Sequence, residues 1–170
     1  KVDIDRFLSL TLKSLEIVAG RIFKTSIQKP SKIFCVLSSP WYASQTRTIK
    51  LGKNTPFLFT QKLADNLIQK EISLFEEENL SKFSHTGNKV QLIEFKNMKT
   101  MLNGYATSDP INKKAKKVEM IIFVSMSGDK ILKKIKETIS KHFNFKDIKF
   151  SSFAMASFTV ARDMFIHQEN

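Results

Sequence analysis

Residues 118–126 read VEMIIFVSM and run without a break into SGDKILKKIKETISKHF at 127–143. Val118, Met120, Ile122, Val124 and Met126 alternate with Glu119, Ile121, Phe123 and Ser125. A period of two predicts a strand, and the apolar middle of its second face (Ile121, Phe123) predicts a central one. Beyond it, Ile131, Leu132, Ile135, Ile139 and Phe143 fall at helical spacing, with Lys130, Lys133, Lys134 and Lys136 mostly outward. Ser127 is the expected cap of that helix, and Asp129 lies in its first turn. A short strand, DIKFSS at 147–152, leads into FAMASFTVARDMF at 153–165. So apolar a helix must be covered on several sides. The chain ends at Asn170 with no further strand, which we read as an α/β sheet domain whose continuation lies in a larger protein.

Upstream, Ile4, Leu8, Leu12, Leu15, Val18 and Ile22 predict a helix over 5–23 capped by Asp3 or Asp5. Leu10 and Ile17 widen its apolar arc, so packing on more than one side is expected. Gln28, Lys29 and Pro30 form a connector. KIFCVL at 32–37 is a continuous apolar run and predicts a strand covered on both faces. TRTIKL at 46–51 alternates as a half-buried strand does, with a turn expected at 52–54 and the brief strand PFLF after it. Thr60 is the expected cap of a helix to about Glu77, with Leu63, Leu67, Ile68, Ile72 and Phe75 inward. Gly87-Asn88 signals a turn, residues 90–98 alternate, and 100–105 continue that strand or pair with it around Asn103-Gly104. Residues 108–117 read as a Lys-rich loop. Helices and strands in this order predict an α+β fold with a mixed sheet.

Composition narrows the function classes. A hydrophobic content of 42% with 15 Phe excludes a disordered chain. No apolar run reaches the length that spans a bilayer as a helix. The single Cys35, inside IFCVL, excludes a disulfide framework and reads as a packing residue rather than a nucleophile. The net charge of +12 raises nucleic acid and anionic membranes as partners. It is carried by 24 Lys against 4 Arg, whereas base and bidentate phosphate recognition favour Arg, so solvated Lys faces are the preferred reading.

Signatures of chemistry are missing from the sequence. Gly20, Gly52, Gly87, Gly104 and Gly128 are scattered and form no phosphate-cradling fingerprint. Ser127-Gly128-Asp129 reads as a helix start, since Asp129 repels an anion. His85, His142 and His167 have no Cys or carboxylate at metal-ligand spacing. Glu76, Glu77 and Glu78 are consecutive on a helix and diverge, and Ser38-Ser39 lacks a nucleophile elbow. No catalytic, cofactor-binding or metal-ligating residue is expected in this segment. Candidate partner contacts remain: Trp41 and Tyr42 past a strand end, Arg47 and Ile49 on the 46–51 strand, and the basic run Lys113, Lys114, Lys116 and Lys117.

The order of elements, from KIFCVLSSP through FLFTQKLADNLIQK and VQLIEF to VEMIIFVSMSGDKILKKIKETISKHF and FKDIKFSSFAMASFTV, resembles the middle of bacterial actin-like ATPases of the FtsA/PilM type. Those proteins act in cell division and type IV pilus assembly. The resemblance covers nearly the whole chain and rests on pattern and order. It implies an N-terminal helix and connector of an actin-like subdomain at 1–31 and an inserted strand–helix–strand–strand module at 32–107. Residues 108–170 would return to the actin-like sheet as loop, strand, helix, strand and apolar helix. It further implies a non-catalytic, cytoplasmic interaction or assembly portion, with no cofactor in this segment and ATP and Mg confined to the parent protein. The implied partner is a protein, such as the cytoplasmic tail of a membrane protein or a second copy. Nucleic acid is disfavoured and membrane contact is indirect at most. The competing readings are a basic module for nucleic acid or an anionic membrane, and an incomplete part of an active ATPase.

Overall fold

The computed structural model describes residues 3–25, 30–86, 89–143 and 148–166. The expected connector at Gln28-Lys29, the turn at Gly87-Asn88 and His167 lie outside them. The described chain is a mixed α+β fold. Helix α1 spans Ile4–Thr25 and is opened by Asp3, whose carboxylate accepts from the Arg6 N–H at 3.0 Å. Strand β1 (Ile33–Leu37) is followed by a turn with a cis Ser39–Pro40 bond and by β2 (Ala43–Phe59). Helix α2 (Gln61–Asn79) is capped as expected: Thr60 Oγ1 accepts from the Leu63 N–H at 3.2 Å. A short 3-10 segment, Leu80–Thr86, precedes β3 (Val90–Leu102). Strand β4 (Tyr105–Ala106), β5 (Lys113–Gly128), α3 (Asp129–Ser140), β6 (Ile148–Ser152) and α4 (Phe153–Ile166) complete the order.

Among the described residues the strands form two sheets. One is antiparallel, in the order β2-β5-β3-β4, and the other is the parallel pair β1-β6. Strand β5 takes the central place its two-sided apolar pattern predicts. Met120 lies between Ile49 and Thr100, and Val118 between Leu51 and Leu102. Because β2 and β3 both run against β5, they run parallel to each other. The β2–α2–β3 path is therefore a βαβ crossover with β5 inserted between its strands. Helix α2 covers the face carrying Val118, Met120, Ile122, Val124 and Met126, all buried, with Phe59, Ile72 and Phe75 packed against them. The opposite face, with Glu119, Ile121 and Phe123, is half-buried, as one face of an antiparallel sheet can be.

A second core lies where α1 and α3 cross the inner face of β1-β6. Leu8, Ala19, Leu37, Trp41, Ile131, Leu132, Ile135, Ile139, Phe143 and Ile148 fill it. All five residues expected to face inward from α3 are buried here. Gly20 lets α1 approach closely, since a Cβ there would stand 3.1 Å from His142 Cε1. The predicted domain boundary at 107/108 falls in the connection between β4 and β5, two strands of one sheet.

Three local expectations are corrected, and one left open, at 100–105, is decided. The residue before α3 is Gly128, not Ser127. The Ser127 hydroxyl is buried and donates to the Trp41 carbonyl at 2.6 Å, fixing the end of β5 to the β1–β2 turn. Residues 113–117 are not a loop but the first part of β5, with Lys113 opposite Phe59 and Lys114 opposite Leu58. The expected turn at 52–54 is an irregularity within one long strand, where the pairing shifts between Gly52 and Phe57. Residues 100–102 continue β3, and Asn103 (φ 52°) with Gly104 (φ 89°) makes the two-residue turn into β4.

Candidate protein-contact surface

The residues predicted to touch a partner are placed very differently from one another. Trp41 is buried, its ring stacked on Phe7 with centroids 5.1 Å apart, and Tyr42 is half-buried against the same core. Ile49 is buried beneath α2 opposite Met120. Arg47 reaches across the same face to α2, giving Nε to Glu71 and a two-nitrogen fork to Glu78 at 2.7 and 3.0 Å. The Glu78 hydrogen bond above all raises the Arg47 pKa, and Arg47 in turn holds the Glu78 carboxyl below its usual range. Lys113, Lys114, Lys116 and Lys117 are exposed, while Ala115 between them is buried. The structure thus turns Trp41, Arg47 and Ile49 toward the protein's own interior and leaves the lysines outside.

A larger surface lies at the other end of the molecule. Strand β1 puts Ile33, Cys35 and Leu37 on the inner core, but Phe34 and Val36 on its other face are 65% and 49% exposed. This corrects the expectation of cover on both faces. In the parallel register Phe34 sits beside Lys149 and Val36 beside Ser151, so the same face continues across β6. Helix α4 packs against β1 and β6, yet Phe153, Val160, Met164 and Phe165 remain exposed on it. The expected cover of α4 on several sides is likewise not found among the described residues. Val18 and Ile22 of α1 are exposed as well and line a groove together with Phe34. Contiguous apolar surface of this kind marks a contact site, because leaving it in water is costly.

Hydrogen bonds join β3 to β6 and the start of α4. Glu94 of β3 accepts from the Ser151 hydroxyl, from the Ser152 N–H at 2.9 Å and from the Ser152 hydroxyl at 2.6 Å. Ser152 Oγ in turn accepts from the Met155 N–H at 3.2 Å and so caps α4. Lys96, two residues along β3, lies 5.5 Å from the Phe158 ring centre. One carboxylate therefore ties the antiparallel sheet to the start of α4, and its charge sits favourably at that helix N-terminus. Pattern reasoning missed Glu94, because a lone acid in an alternating strand reads as a solvent-facing residue.

Beside this surface, an open groove of about 320 Å³ runs between α1 and β1. Leu15, Val18, Ala19 and Ile22 of α1 and Ile139 and Phe143 of the α3 end wall it on one side. Lys32, Ile33, Phe34 and Cys35 form the other. Burial pushes the Cys35 thiol pKa up, which makes it a weak nucleophile at neutral pH. No group of three or more His, Cys, Asp or Glu placed to hold a metal occurs among the described residues. No helix among them is long and apolar enough to cross a membrane. No family model matches the chain, and neither does any curated protein.

Proposed function

We propose that this chain is a non-catalytic interaction and assembly portion of an FtsA/PilM-like actin-related protein, acting on the cytoplasmic side in cell division or pilus assembly. Its contact surface is the outer face of β1-β6 together with α4. The observation that carries this reading is the exposure of Phe34 and Val36 on a parallel pair, a sheet type that proteins otherwise keep covered on both faces. The family part rests on the resemblance of element order. Within 32–107, β2, α2, β3 and β4 follow one another as strand, helix, strand, strand, whereas β5, which the resemblance assigns to the returning sheet, lies between β2 and β3. The partner is a second copy or the tail of a membrane protein, and ATP chemistry belongs to other parts of the parent.

A photo-crosslinking amino acid at Phe34 tests the proposal. It is expected to give a covalent dimer, or an adduct with tail peptides of division or pilus membrane proteins, that disappears when Val36 is changed to Lys. Absence of both products at high micromolar concentration, with a monomer in sedimentation, would refute it. ATP binding by the chain itself would overturn the non-catalytic reading.

A further inference from the structure

The far end of the antiparallel sheet gathers charge from separate parts of the chain. Residues 50–59 and 103–119 contain Lys50, Lys53, Lys113, Lys114, Lys116 and Lys117 against Asp109 and Glu119. Strand pairing brings them together: Lys114 stands opposite Leu58, Lys117 opposite Gly52 and Lys50 opposite Glu119. The β3–β4 turn closes the group, since Asn103 Oδ1 accepts from the Lys116 and Lys117 N–H groups at 2.9 and 3.1 Å. Glu119 lies 3.7 Å from Lys50. Among the described residues no carboxylate pairs with Lys53, Lys113, Lys114, Lys116 or Lys117, and all five are exposed. The acids of the same half, Glu71, Glu76, Glu77 and Glu78, lie toward the opposite end of α2. Crowding like charges costs free energy, and an anionic surface offsets it. Unlike an apolar face, a lysine surface needs water or counter-charge rather than a further layer of protein.

The surroundings select among polyanions. Lys113 and Lys114 are successive on β5 and point to opposite faces, so the charge surrounds the end of the strand pair instead of following one track. Leu58 and Tyr105, 47% and 80% exposed, stand among the lysines, and a bilayer interface takes up such groups. Arg, the residue suited to bidentate phosphate and base contacts, is missing from this end. Arg6 and Arg21 are on α1, Arg162 is on α4, and Arg47 is held by Glu71 and Glu78.

From this we infer that the basic pole binds the surface of an anionic lipid bilayer directly, with its lysines at the headgroups and Leu58 and Tyr105 at the interface. The inference goes beyond the proposed contact surface and does not rest on it. Glu94, which fastens β6 and α4, pairs with Ser125, about eight residues or roughly 27 Å along β5 from Lys117. A partner on the β1–β6 face and a membrane at the lysine pole can therefore be held at once.

The test is co-sedimentation with phosphatidylcholine vesicles containing about 30% phosphatidylglycerol, compared with pure phosphatidylcholine vesicles and with a single-stranded oligo-dT. Binding is expected on the anionic vesicles alone and should weaken steeply as salt is raised. Lys113→Gln and Lys117→Gln should each weaken it about five-fold. Tyr105→Ser and Leu58→Ser should each weaken it at least about two-fold and leave the salt dependence intact. The pair Lys24→Gln and Lys130→Gln, exposed positions on α1 and α3, should leave it unchanged. Tighter binding to oligo-dT than to the vesicles would give the pole to nucleic acid and overturn the inference. So would equal binding to pure phosphatidylcholine, an equal loss from the α1 and α3 substitutions, or no binding to anionic vesicles at low salt. The crosslink at Phe34 judges the β1–β6 surface separately from all of these.

Discussion

The β2–α2–β3–β5 half and the β1–β6–α4 end are both rich in apolar residues, yet they use them in opposite ways. In the first, Met120, Ile122 and Val124 are at most 1% exposed because α2 folds back over the strand face that carries them. In the second, Phe34 and Val36 lie open, and so do most large apolar residues of α4. The two ends contain similar side chains in similar elements. Whether the chain supplies a second layer separates a core from a contact surface.

Substitutions on the two sides should make that contrast measurable. Ile122→Ala is expected to cost about 2–5 kcal/mol in urea unfolding, because it leaves a cavity under α2. A cost below about 1 kcal/mol would mean that this half is loosely packed. Glu94→Ala should cost about 1–3 kcal/mol, since three donors at the β6–α4 junction lose their acceptor. Its effect should concentrate at α4, seen as faster proteolysis there, and an unchanged α4 would show that the helix is held some other way.

Arg47→Met probes the closed half through pH. The Glu78 carboxyl has a folded-state pKa below its unfolded one, so its contribution is present above the ordinary glutamate range. It is lost as pH falls through the folded value. The variant should be less stable at neutral pH and should lose part of the acid-side decline of the unsubstituted protein. Parallel stability–pH curves for the two proteins would sink that assignment. The smallest expected effect is the most telling for the open end. Phe34→Lys should change stability by no more than about 0.5 kcal/mol while removing any self-association. A loss of several kcal/mol would show that Phe34 is part of a core after all.

The closed half was legible because its signals are local and periodic. The alternation over 118–126 placed β5 at the sheet centre, the helical spacing named the four buried apolar residues of α3 and Phe143 just beyond it, and Thr60 capped α2 as its side-chain chemistry predicts. Errors occurred where two structures satisfy one pattern. Four lysines around Ala115 suit a loop or the exposed start of a long strand equally well, and only pairing with Leu58 and Phe59 decides. Ser127 has the right type and position for a cap, but a buried carbonyl at Trp41 competes for its hydroxyl. The proposed contact surface was half legible. The apolar runs at 32–37 and 153–165 announced a need for cover, whereas Glu94 and the groove between α1 and β1 depend on residues far apart in the chain.

By itself, the sequence determined the order of most strands and helices, which faces of β5 and α3 turn inward, and that a large apolar surface had to be accommodated. Periodicity encodes these, because burial on one face repeats with the geometry of the element. Tertiary structure decided which of those apolar faces the chain covers for itself. A side chain's need for a neighbour is a property of its residue, but the presence of one depends on how separate elements meet.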